Sequence, residues 1–404
     1  MNKEKRRVPK LRFPGFTGDW EQRKLGDIAT FSKGNGYSKS DLVPSGSPII
    51  LYGRLYTNYE TTIKNVDTFV KLKDKSVISH GGEVIVPASG ETAEDISRAS
   101  VVKNQGIIIG GDLNVIKANH LLDPTFLALT ISNGEQQKEL SKRAQGKSVV
   151  HLHNSDLQEV NLIFPLLNEQ KEISTLFEKM DNIITLHQRK LEHLNLKKKA
   201  LLQKLFPKNG ECYPELRFPG FTDAWEQRKL GSLASVEMNK RIFKEQTTTN
   251  GDIPFYKIGT FGSDADSFIS RELFEEYKNK YPYPNIGDIL ISASGSIGRT
   301  VVYNGEDAYF QDSNIVWLNH NGKIDNSFLL QFYNQVKWAG LEGSTIKRLY
   351  NKNILETNIA LPKIEEQRLI GKFFTLVDST ITLHQRKLDH LQLQKKALLQ
   401  QMFV

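Results

Sequence analysis

Two long stretches of the chain carry apolar residues at three- and four-residue steps, which is the repeat of an α-helix. The stripe in 168–206 runs through Ile173, Leu176, Met180, Ile183, Leu191, Leu194, Leu201 and Leu205. Asn168 is placed to cap this helix, and Pro207 with Gly210 to end it. The stretch 365–403 repeats the pattern. At 1.5 Å per residue each helix is roughly 55–60 Å long. We therefore predict that the two pack together as a coiled-coil-like pair, the alternative being that each covers its own domain.

The segments before the two helices show strand patterns instead. Short runs of β-branched and other apolar residues alternate with clusters of Gly, Asn, Ser and Asp, which favours strands joined by turns. These runs lie at 84–86, 106–109, 288–291 and 314–317, and short helices are predicted near 124–144 and 325–340. The pattern predicts an α+β chain with two tandem, strand-rich, mixed α/β domains, each followed by a long helix.

The chain is a duplication. The segment 11–29 returns at 216–234 with 15 identities in 19 positions, and 184–206 returns at 381–403 with 18 in 23. A repeat of about 200 residues indicates duplicated domains and not a solenoid. We place the domains at 1–163 and 211–361 and their helices at 164–210 and 362–404. The duplication predicts a pseudo-twofold architecture.

The middles of the two copies differ, although short echoes keep them in register. Ala88-Ser89-Gly90 matches Ala293-Ser294-Gly295 at an offset of 205, and Leu152 with Asn154 matches Leu349 with Asn351 at an offset of 197. One scaffold that presents two different recognition surfaces accounts for this pattern. Neutral drift of surface loops is the alternative.

Composition and charge narrow the function classes. The 404 residues include a single cysteine, Cys212, which excludes an internal disulfide and indicates a cytoplasmic protein. The sequence has no apolar run long enough to span a membrane. The net charge of +8 is uneven: 1–12 and 187–206 each carry +5, 384–404 carries +3, and the remainder carries −5. Contacts to an anionic partner outside those segments must therefore come from local patches.

No catalytic motif is recognisable in the sequence. Gly146-Lys147-Ser148 resembles the end of a phosphate-binding loop, but Ser141 stands where that motif needs glycine. Asp123-Pro124 is better explained as a helix start. His151 and His153 share a strand face without further metal ligands, so a polar contact role is the better interpretation. These absences favour a binding protein without a cofactor or metal of its own.

Candidate nucleic-acid contacts are basic, amide, hydroxyl and aromatic residues in loops, because lysine and arginine neutralise phosphates while polar side chains read base edges. In the first copy they are Lys33, Asn35, Tyr37, Lys39, Arg54, Tyr56, Ser89, Glu91, Arg98, Lys147, Ser148, His151 and His153. In the second copy they are Asn239, Lys240, Arg241, Lys257, Ser294, Ser296, Arg299, Lys347, Arg348 and Tyr350. An ordinary solvated loop is the alternative for each residue.

The sequence resembles the specificity subunits of type I restriction–modification enzymes over essentially its whole length. The resemblance rests on the duplicated opening at 11–26 and 216–231, which reads LRFPGF-T-x-x-W-E-Q-R-K-L-G. It also rests on the Pro-x-x-x-Glu-Gln pattern at Pro165–Gln170 and Pro362–Gln367. Several motifs occur twice in the same order, which makes the signal specific.

This resemblance implies that each middle is a target recognition domain and that the two helices pack antiparallel as a spacer. Each domain would read one half of a split, asymmetric site on double-stranded DNA. The resemblance further implies two modification (methyltransferase) subunits and two restriction (translocase and nuclease) subunits as partners. S-adenosylmethionine, ATP and Mg²⁺ would belong to those partners, which methylate adenine or cleave DNA. The remaining alternative is a non-catalytic scaffold that binds protein only.

Overall fold

The computed structural model describes residues 8–144, 146, 149–208, 210–338 and 347–403. The chain divides into two compact units. Unit 1 consists of Met1–Arg189 with Arg386–Val404, and unit 2 of Lys190–Gln385. The division crosses both long helices, so each of them begins in one unit and ends in the other.

Unit 1 contains thirteen strands in its described part. They are β1 Glu21–Lys24, β2 Ala29–Lys33, β3 Leu42–Val43, β4 Ser47–Ile50, β5 Thr62–Ile63, β6 Phe69–Val70, β7 Glu83–Pro87, β8 Ser89–Gly90, β9 Ser100–Val102, β10 Ile108–Ile109, β11 Leu113–Ala118, β12 Val150–His151 and β13 Asn161–Phe164. The helices that begin in it are α1 Leu25–Ile28, α2 Arg54–Thr57, α3 Ala93–Ile96, α4 Pro124–Ile131, α5 Gly134–Arg143, α6 Asn154–Gln158 and α7 Leu167–Leu205. A 3₁₀ turn spans Lys39–Asp41.

Two sheets form most of unit 1. The larger has the order β2-β11-β7-β9-β5, and its central strand β7 is buried throughout. The smaller has the order β10-β4-β6-β3. Two-stranded ladders join β1 to β13 and β8 to β12. The buried apolar residues of β7 and β11 explain why these two strands take the middle of the sheet, where both faces are covered.

Unit 2 repeats this plan with different lengths. Its strands are β14 Glu226–Lys229, β15 Ser235–Glu237, β16 Ile253–Tyr256, β17 Phe268–Ile269, β18 Ile289–Ser292, β19 Thr300–Val302, β20 Tyr309–Phe310, β21 Ile315–Asn319 and β22 Asn358–Leu361. Its helices are α8 Arg271–Lys280, α9 Asn326–Tyr333, α10 Asn351–Glu356 and α11 Ile364–Met402, and 3₁₀ turns span Leu230–Ser232 and Lys244–Gln246.

The sheets of unit 2 follow the strand orders of unit 1 without counterparts of the edge strands β5 and β3. The order β15-β21-β18-β19 corresponds to β2-β11-β7-β9, and β17-β16-β20 corresponds to β6-β4-β10. In both small sheets the last pairing is parallel, β4 with β10 and β16 with β20. The ladder of β14 with β22 has the same role as β1 with β13. The predicted pair of tandem strand-rich α/β domains, each followed by a long helix, is therefore confirmed.

The helices between strands begin at defined caps. Asp123 accepts a hydrogen bond from Phe126 N at 2.9 Å and Pro124 occupies the first turn, so α4 starts where the sequence predicts. Asp325 caps α9 in the same way through Phe328 N at 3.0 Å. The short helices predicted near 124–144 are present as α4 and α5. They are separate helices because Gly134, at the start of α5, adopts a φ of +70°, which a continuous α-helix excludes.

The Glu-Gln pair at the start of each long helix is fixed by buried contacts. Glu169 is 1% exposed and accepts both arms of the Arg12 guanidinium, at 2.6 and 2.7 Å. Glu366 is equally buried and accepts Arg217 at 2.8 and 2.7 Å. Bidentate geometry is the strongest form of such a pair. The duplicated opening segment is thereby tied to the first turn of the helix in each unit.

The glutamine that follows has a separate role. Gln170 accepts from Asp123 N at 2.9 Å and donates to Pro165 O at 2.8 Å. Gln367 makes the matching bonds to Asp325 N and Pro362 O, at 3.0 and 2.9 Å. The glutamine thus links the cap of α4 or α9 to the start of the long helix.

An aromatic trio shows how the helix ends enter the two cores. In unit 1, Phe403 stacks on Phe126 at 5.7 Å between ring centroids, and Trp20 meets Phe126 edge-on at 5.8 Å. In unit 2 the trio is Phe206, Phe328 and Trp225, at 5.0 and 5.8 Å. Each core therefore contains the start of the helix from its own copy and the end of the helix from the other copy.

Within each unit the two helix segments run antiparallel. In unit 1, Lys395 on α11 pairs with Asp181 on α7, while Phe403 contacts Phe177. In unit 2, Lys198 Nζ lies 2.6 Å from Asp378 Oδ1. The prediction that Ile183 lies in the buried stripe is wrong: Ile183 is 43% exposed, and Ile184 lies on the buried side.

Candidate nucleic-acid interface

The structure distributes the predicted contact residues over loops at one end of the large sheet and over neighbouring turns. In unit 1, Lys33 ends β2; Asn35 and Tyr37 lie in the loop that follows; Lys39 begins the 3₁₀ turn; Arg54 and Tyr56 lie in α2; Ser89 lies in β8, Glu91 after it and Arg98 after α3; and His151 lies in β12 with His153 just beyond. In unit 2, Asn239, Lys240 and Arg241 follow β15; Lys257 follows β16; Ser294, Ser296 and Arg299 lie between β18 and β19; and Lys347, Arg348 and Tyr350 precede α10. Lys147 and Ser148 lie outside the described residues.

In both units two short backbone segments pair with each other, and we call the surface that they form the platform. In unit 1, Ser89 pairs with His151 across the short antiparallel ladder. In unit 2, Ser294 pairs with Arg348 in the corresponding antiparallel bridge. The buried leucines Leu152 and Leu349 anchor the second segment, because their amides donate to Ala88 O and Ala293 O at 3.0 and 2.8 Å. The platform is therefore fixed by backbone bonds, and the exposed side chains on it are free to differ.

Tyr56 contacts the platform of unit 1 through its hydroxyl group. Its hydroxyl donates to Ser89 O at 2.7 Å, and a Cβ at Gly90 would lie 2.8 Å from that hydroxyl, so Gly90 is required for this approach. Burial, followed by the nearby Asp95 carboxylate, raises the pKa of Tyr56, which keeps the hydroxyl a neutral donor.

The charged residues beside Tyr56 form an ion pair of intermediate exposure. Arg98 NH2 lies 2.6 Å from Asp95 Oδ1, and the hydroxyl of Thr92 contacts the same aspartate at 2.7 Å. Glu91 is exposed next to them. The rings of His151 and His153 are parallel, with centroids 6.4 Å apart, and both side chains are exposed. This group joins Tyr56, Ser89, Glu91, Arg98, His151 and His153, which are far apart in the sequence.

The platform of unit 2 carries a different group. The amide oxygen of Asn314 accepts from Ser294 Oγ at 2.6 Å and from Arg348 NH2 at 3.2 Å. Arg348 is exposed, so the asparagine orients a guanidinium that still faces solvent. Two residues before Asn314, Asp312 accepts from Arg241 Nε at 3.0 Å. Ser296, Arg299 and Tyr350 are exposed around this group.

Several predicted residues are engaged in structural contacts. Arg54 is 12% exposed and pairs with Glu60 and Asp67 at 2.7 and 3.1 Å. Asn239 is 2% exposed and bonds to Pro282 O and Phe310 N. Lys257 pairs with Asp266 at 2.8 Å. These contacts favour a role in shaping loops for Arg54 and Asn239. Direct base contact by these three residues stays an untested prediction.

Sequence reasoning did not select some residues that the structure places in these groups. Asn314 and Asp312 organise Arg348 and Arg241, yet an isolated Asp-Ser-Asn turn gives no signal before the chain is folded. Lys71, Lys73 and Lys75 lie beside Tyr37. Their alternation in Lys71-Leu72-Lys73-Asp74-Lys75 is a basic cluster that the sequence does show.

In the described ranges, no group of three or more histidine, cysteine, aspartate or glutamate side chains is placed to hold a metal ion. None of the helices that the structure describes is both long and apolar enough to cross a membrane.

The residues that form the platforms, the duplicated units and the long helices match the model of a known protein family. The family model for the type I restriction modification DNA specificity domain matches residues 17–196 and again residues 222–393. These two matches cover most of the chain, and each includes one platform and most of one long helix. The chain therefore belongs to the family of type I restriction–modification specificity subunits and contains two of its DNA specificity domains.

Individual relatives agree with this assignment. A protein of Haemophilus influenzae, provisionally named a type I restriction enzyme specificity subunit, is 43% identical over 239 residues; the match covers 58% of this chain and 61% of that protein. The MjaVIII specificity subunit of Methanocaldococcus jannaschii is 22% identical, with 94% of this chain and 91% of that protein covered.

Solved structures share the fold. The S subunit of the type I restriction–modification system of M. genitalium superposes with a TM-score of 0.66 at 17% identity, over 98% of this chain and 99% of that one. A structure reported for complex assembly and conformational transition of a type I system superposes with a TM-score of 0.53 at 18% identity, over 97% of both chains. At this level of identity the likeness supports the fold alone.

Proposed function

We propose that this chain recognises a bipartite, asymmetric DNA site, with one half-site read by each unit. The observation that supports this most directly is the pair of platforms. Their backbones are bonded alike, while His151 and His153 in unit 1 stand where unit 2 has Arg348 and Tyr350. Different donors and acceptors on one scaffold are the arrangement that distinguishes two DNA sequences.

The chemistry of each platform suggests how its half-site is read. Arginine is the side chain best suited to guanine, because two of its donors match O6 and N7 in the major groove. Arg348 is already oriented by Asn314, and Arg299 is exposed nearby on the adjoining loop. Unit 2 is therefore proposed to read a guanine. Unit 1 would use Glu91, whose carboxylate can accept a hydrogen bond from cytosine N4. It would also use the two histidines, whose ring nitrogens can donate or accept.

The partners proposed for the chain are two modification and two restriction subunits. The exposed leucines of the long helices support protein docking. Leu186 and Leu196 on α7, and Leu383 and Leu393 at the matching positions of α11, are each 65–68% exposed. Large apolar side chains left this exposed mark an interaction site. In this proposal the chain is non-catalytic and acts in the cytoplasm. S-adenosylmethionine, ATP and Mg²⁺ are bound by the partners.

Exchange of one recognition domain tests the proposal. Residues 30–160 are replaced by the corresponding segment of another specificity subunit, and the hybrid is expressed with its modification subunits. Methylome sequencing should show adenine methylation at a split site in which one half is new and the other is that of the parent chain. A change in both halves would contradict one-domain, one-half-site reading. Methylation that requires the modification subunits but no defined sequence would favour the protein-only scaffold.

A further inference from the structure

Each unit carries a second cationic group at the same place in the fold. The loop that follows β2 or β15 contacts the segment that follows β6 or β17. In unit 1 that segment is 71–76, and in unit 2 it includes the end of α8 and 281–282. The two segments have different lengths and different sequences, so their shared position is a property of the fold.

In unit 1 the contact centres on the hydroxyl of Tyr37. It accepts from Lys73 N at 2.8 Å and lies 2.6 Å from Ser76 Oγ, and Lys73 Nζ lies over the Tyr37 ring, 4.6 Å from the centroid. Asn35 donates to Lys75 O at 3.1 Å. The same loop passes close to Gly110, because a Cβ at Gly34 would fall 1.9 Å from Gly110 O, which only glycine avoids.

Unit 2 has the same two types of contact, an asparagine bond to a backbone carbonyl and a lysine over a tyrosine ring, but the lysine and the tyrosine have exchanged sides. Asn239 donates to Pro282 O at 3.2 Å, as Asn35 does to Lys75 O. The lysine now comes from the loop and the tyrosine from the segment: Lys240 Nζ lies 5.1 Å from the Tyr281 ring centroid, and Lys280 Nζ lies 5.6 Å from it. Both units thus hold lysines on a tyrosine face through different residues.

The lysines of unit 1 are oriented and largely uncompensated. Lys73 is paired with Asp41 at 2.5 Å. Lys71 and Lys75 are exposed, and no ion-pair partner is recorded for either in the described part of the chain. Asp74 is the only carboxylate within 71–75. Their backbones are nevertheless fixed, because Lys71 O and Lys75 O accept hydrogen bonds from Tyr37 and Asn35. A fixed backbone with free ammonium groups suits phosphates, which carry no sequence information.

We propose that the lysine segment 71–75, and its counterpart at Lys240 and Lys280 in unit 2, bind the DNA phosphate backbone independently of sequence. The platforms then determine which bases are recognised, and the lysine segments determine how tightly any duplex is held. This inference rests on the proposed DNA recognition and adds a division of labour within it.

The test neutralises the two unpaired lysines, as K71Q with K75Q, and leaves Lys73 to hold Tyr37. The matched control is K117Q with K171Q, two exposed lysines near the other end of β11. Binding of the full chain, in complex with its modification subunits, is measured on its methylated site and on an unrelated duplex between 50 and 200 mM salt. Each lost phosphate contact lowers the salt slope by about 0.9. Between 50 and 200 mM salt, the fold-loss of affinity of the double variant should therefore be about ten times smaller than that of the parent. The difference should appear on both duplexes, and the methylated site should stay the same.

Three results would overturn the proposal. The salt slope of the double variant could equal that of the control. Lys71 and Lys75 would then not contact phosphates, although DNA recognition by the parent chain would still hold. The methylated sequence could change, which would make the segment a base reader. The parent complex could show no salt-dependent binding to any duplex, in which case the proposed function itself fails.

Discussion

At the scale of single residues, the duplicated motifs are explained by buried polar contacts. Arg12 with Glu169, and Arg217 with Glu366, are bidentate pairs in which the glutamate is 1% exposed. The pKa of Arg12 is raised above its ordinary value, chiefly by its hydrogen bond to Glu169. Because a buried charge without a partner is costly, neither member of the pair can be lost alone. This requirement explains why the two motifs occur together in both copies.

Removal of one buried carboxylate should therefore destabilise unit 1. Glu169→Ala leaves the Arg12 guanidinium largely buried and unpaired, and we expect a loss of about 3–5 kcal/mol in the free energy of unfolding. Glu21→Ala removes an exposed pair with Arg23 and should cost less than about 1 kcal/mol. Urea unfolding followed by tryptophan fluorescence measures both. Equal losses in the two variants would mean that the Arg12–Glu169 pair does not stabilise the unit.

At the scale of elements, the long helices combine two roles. Their ends are anchored in the cores through Phe206 and Phe403, and their middles expose leucines. The duplicated opening segment of each copy is bonded to the last turn of a long helix, because Leu216 N donates to Lys204 O at 2.8 Å and Leu11 N donates to Gln401 O at 2.9 Å. The first bond joins two residues of the continuous segment 190–385, whereas the second joins the two separate chain segments that form unit 1. Because both helices pass from one unit into the other, we propose that their length sets the spacer between the two proposed half-sites.

Lengthening both helices tests this role. Seven residues inserted after Arg189 and seven after Gln385 keep the helix faces nearly in phase and add about 10 Å to each helix. We expect the unspecified spacer of the methylated site to lengthen by about three base pairs, at 3.4 Å each, with both half-sites unchanged.

The control insertion lies in the connection 207–212. It follows Phe206, which is already packed in the core of unit 2, so the spacer should keep its length. A changed spacer there, or altered half-site bases with either insertion, would exclude the helices as the element that sets spacing.

At the scale of the whole molecule, the chain is two versions of one plan. The large sheets, the ladders, the aromatic trios and the Glu-Gln contacts correspond between the units. The loops do not, because α8 in unit 2 replaces the short lysine segment of unit 1. The plan therefore separates what both copies need for folding from what each uses for recognition.

This separation predicts that the second recognition domain can be replaced by a copy of the first. A chain in which the middle of unit 1, residues 30–160, also replaces the corresponding middle of unit 2 should fold, because the contacts of both long helices are retained. With its modification subunits it should methylate a site in which the half-site of unit 1 occurs twice, on opposite strands. Methylome sequencing decides, and retention of the parental asymmetric site would contradict the modular plan.

The sequence by itself determined the elements and the duplication. The helical stripe predicted both long helices to within about one residue of α7 and α11. Three of the four predicted apolar runs are the inner strands β7, β18 and β21, because a continuous apolar run is typical of a strand buried on both faces, whereas the fourth is the edge strand β10. The near-identical segments predicted two units, and they carry the family resemblance that the two matches to the specificity-domain model confirm.

Only the tertiary structure decided which distant residues meet. Ser89 faces His151, Asn314 orients Arg348, and Tyr37 holds a lysine segment that the sequence places 34 or more residues away. It also decided that each helix ends in the other unit and that Ile183 lies outside the buried stripe. Contacts of this kind depend on sheet order and loop closure, which no local pattern of polar and apolar residues encodes. The proposed recognition surface is therefore a product of the fold, even though its residues are visible in the sequence.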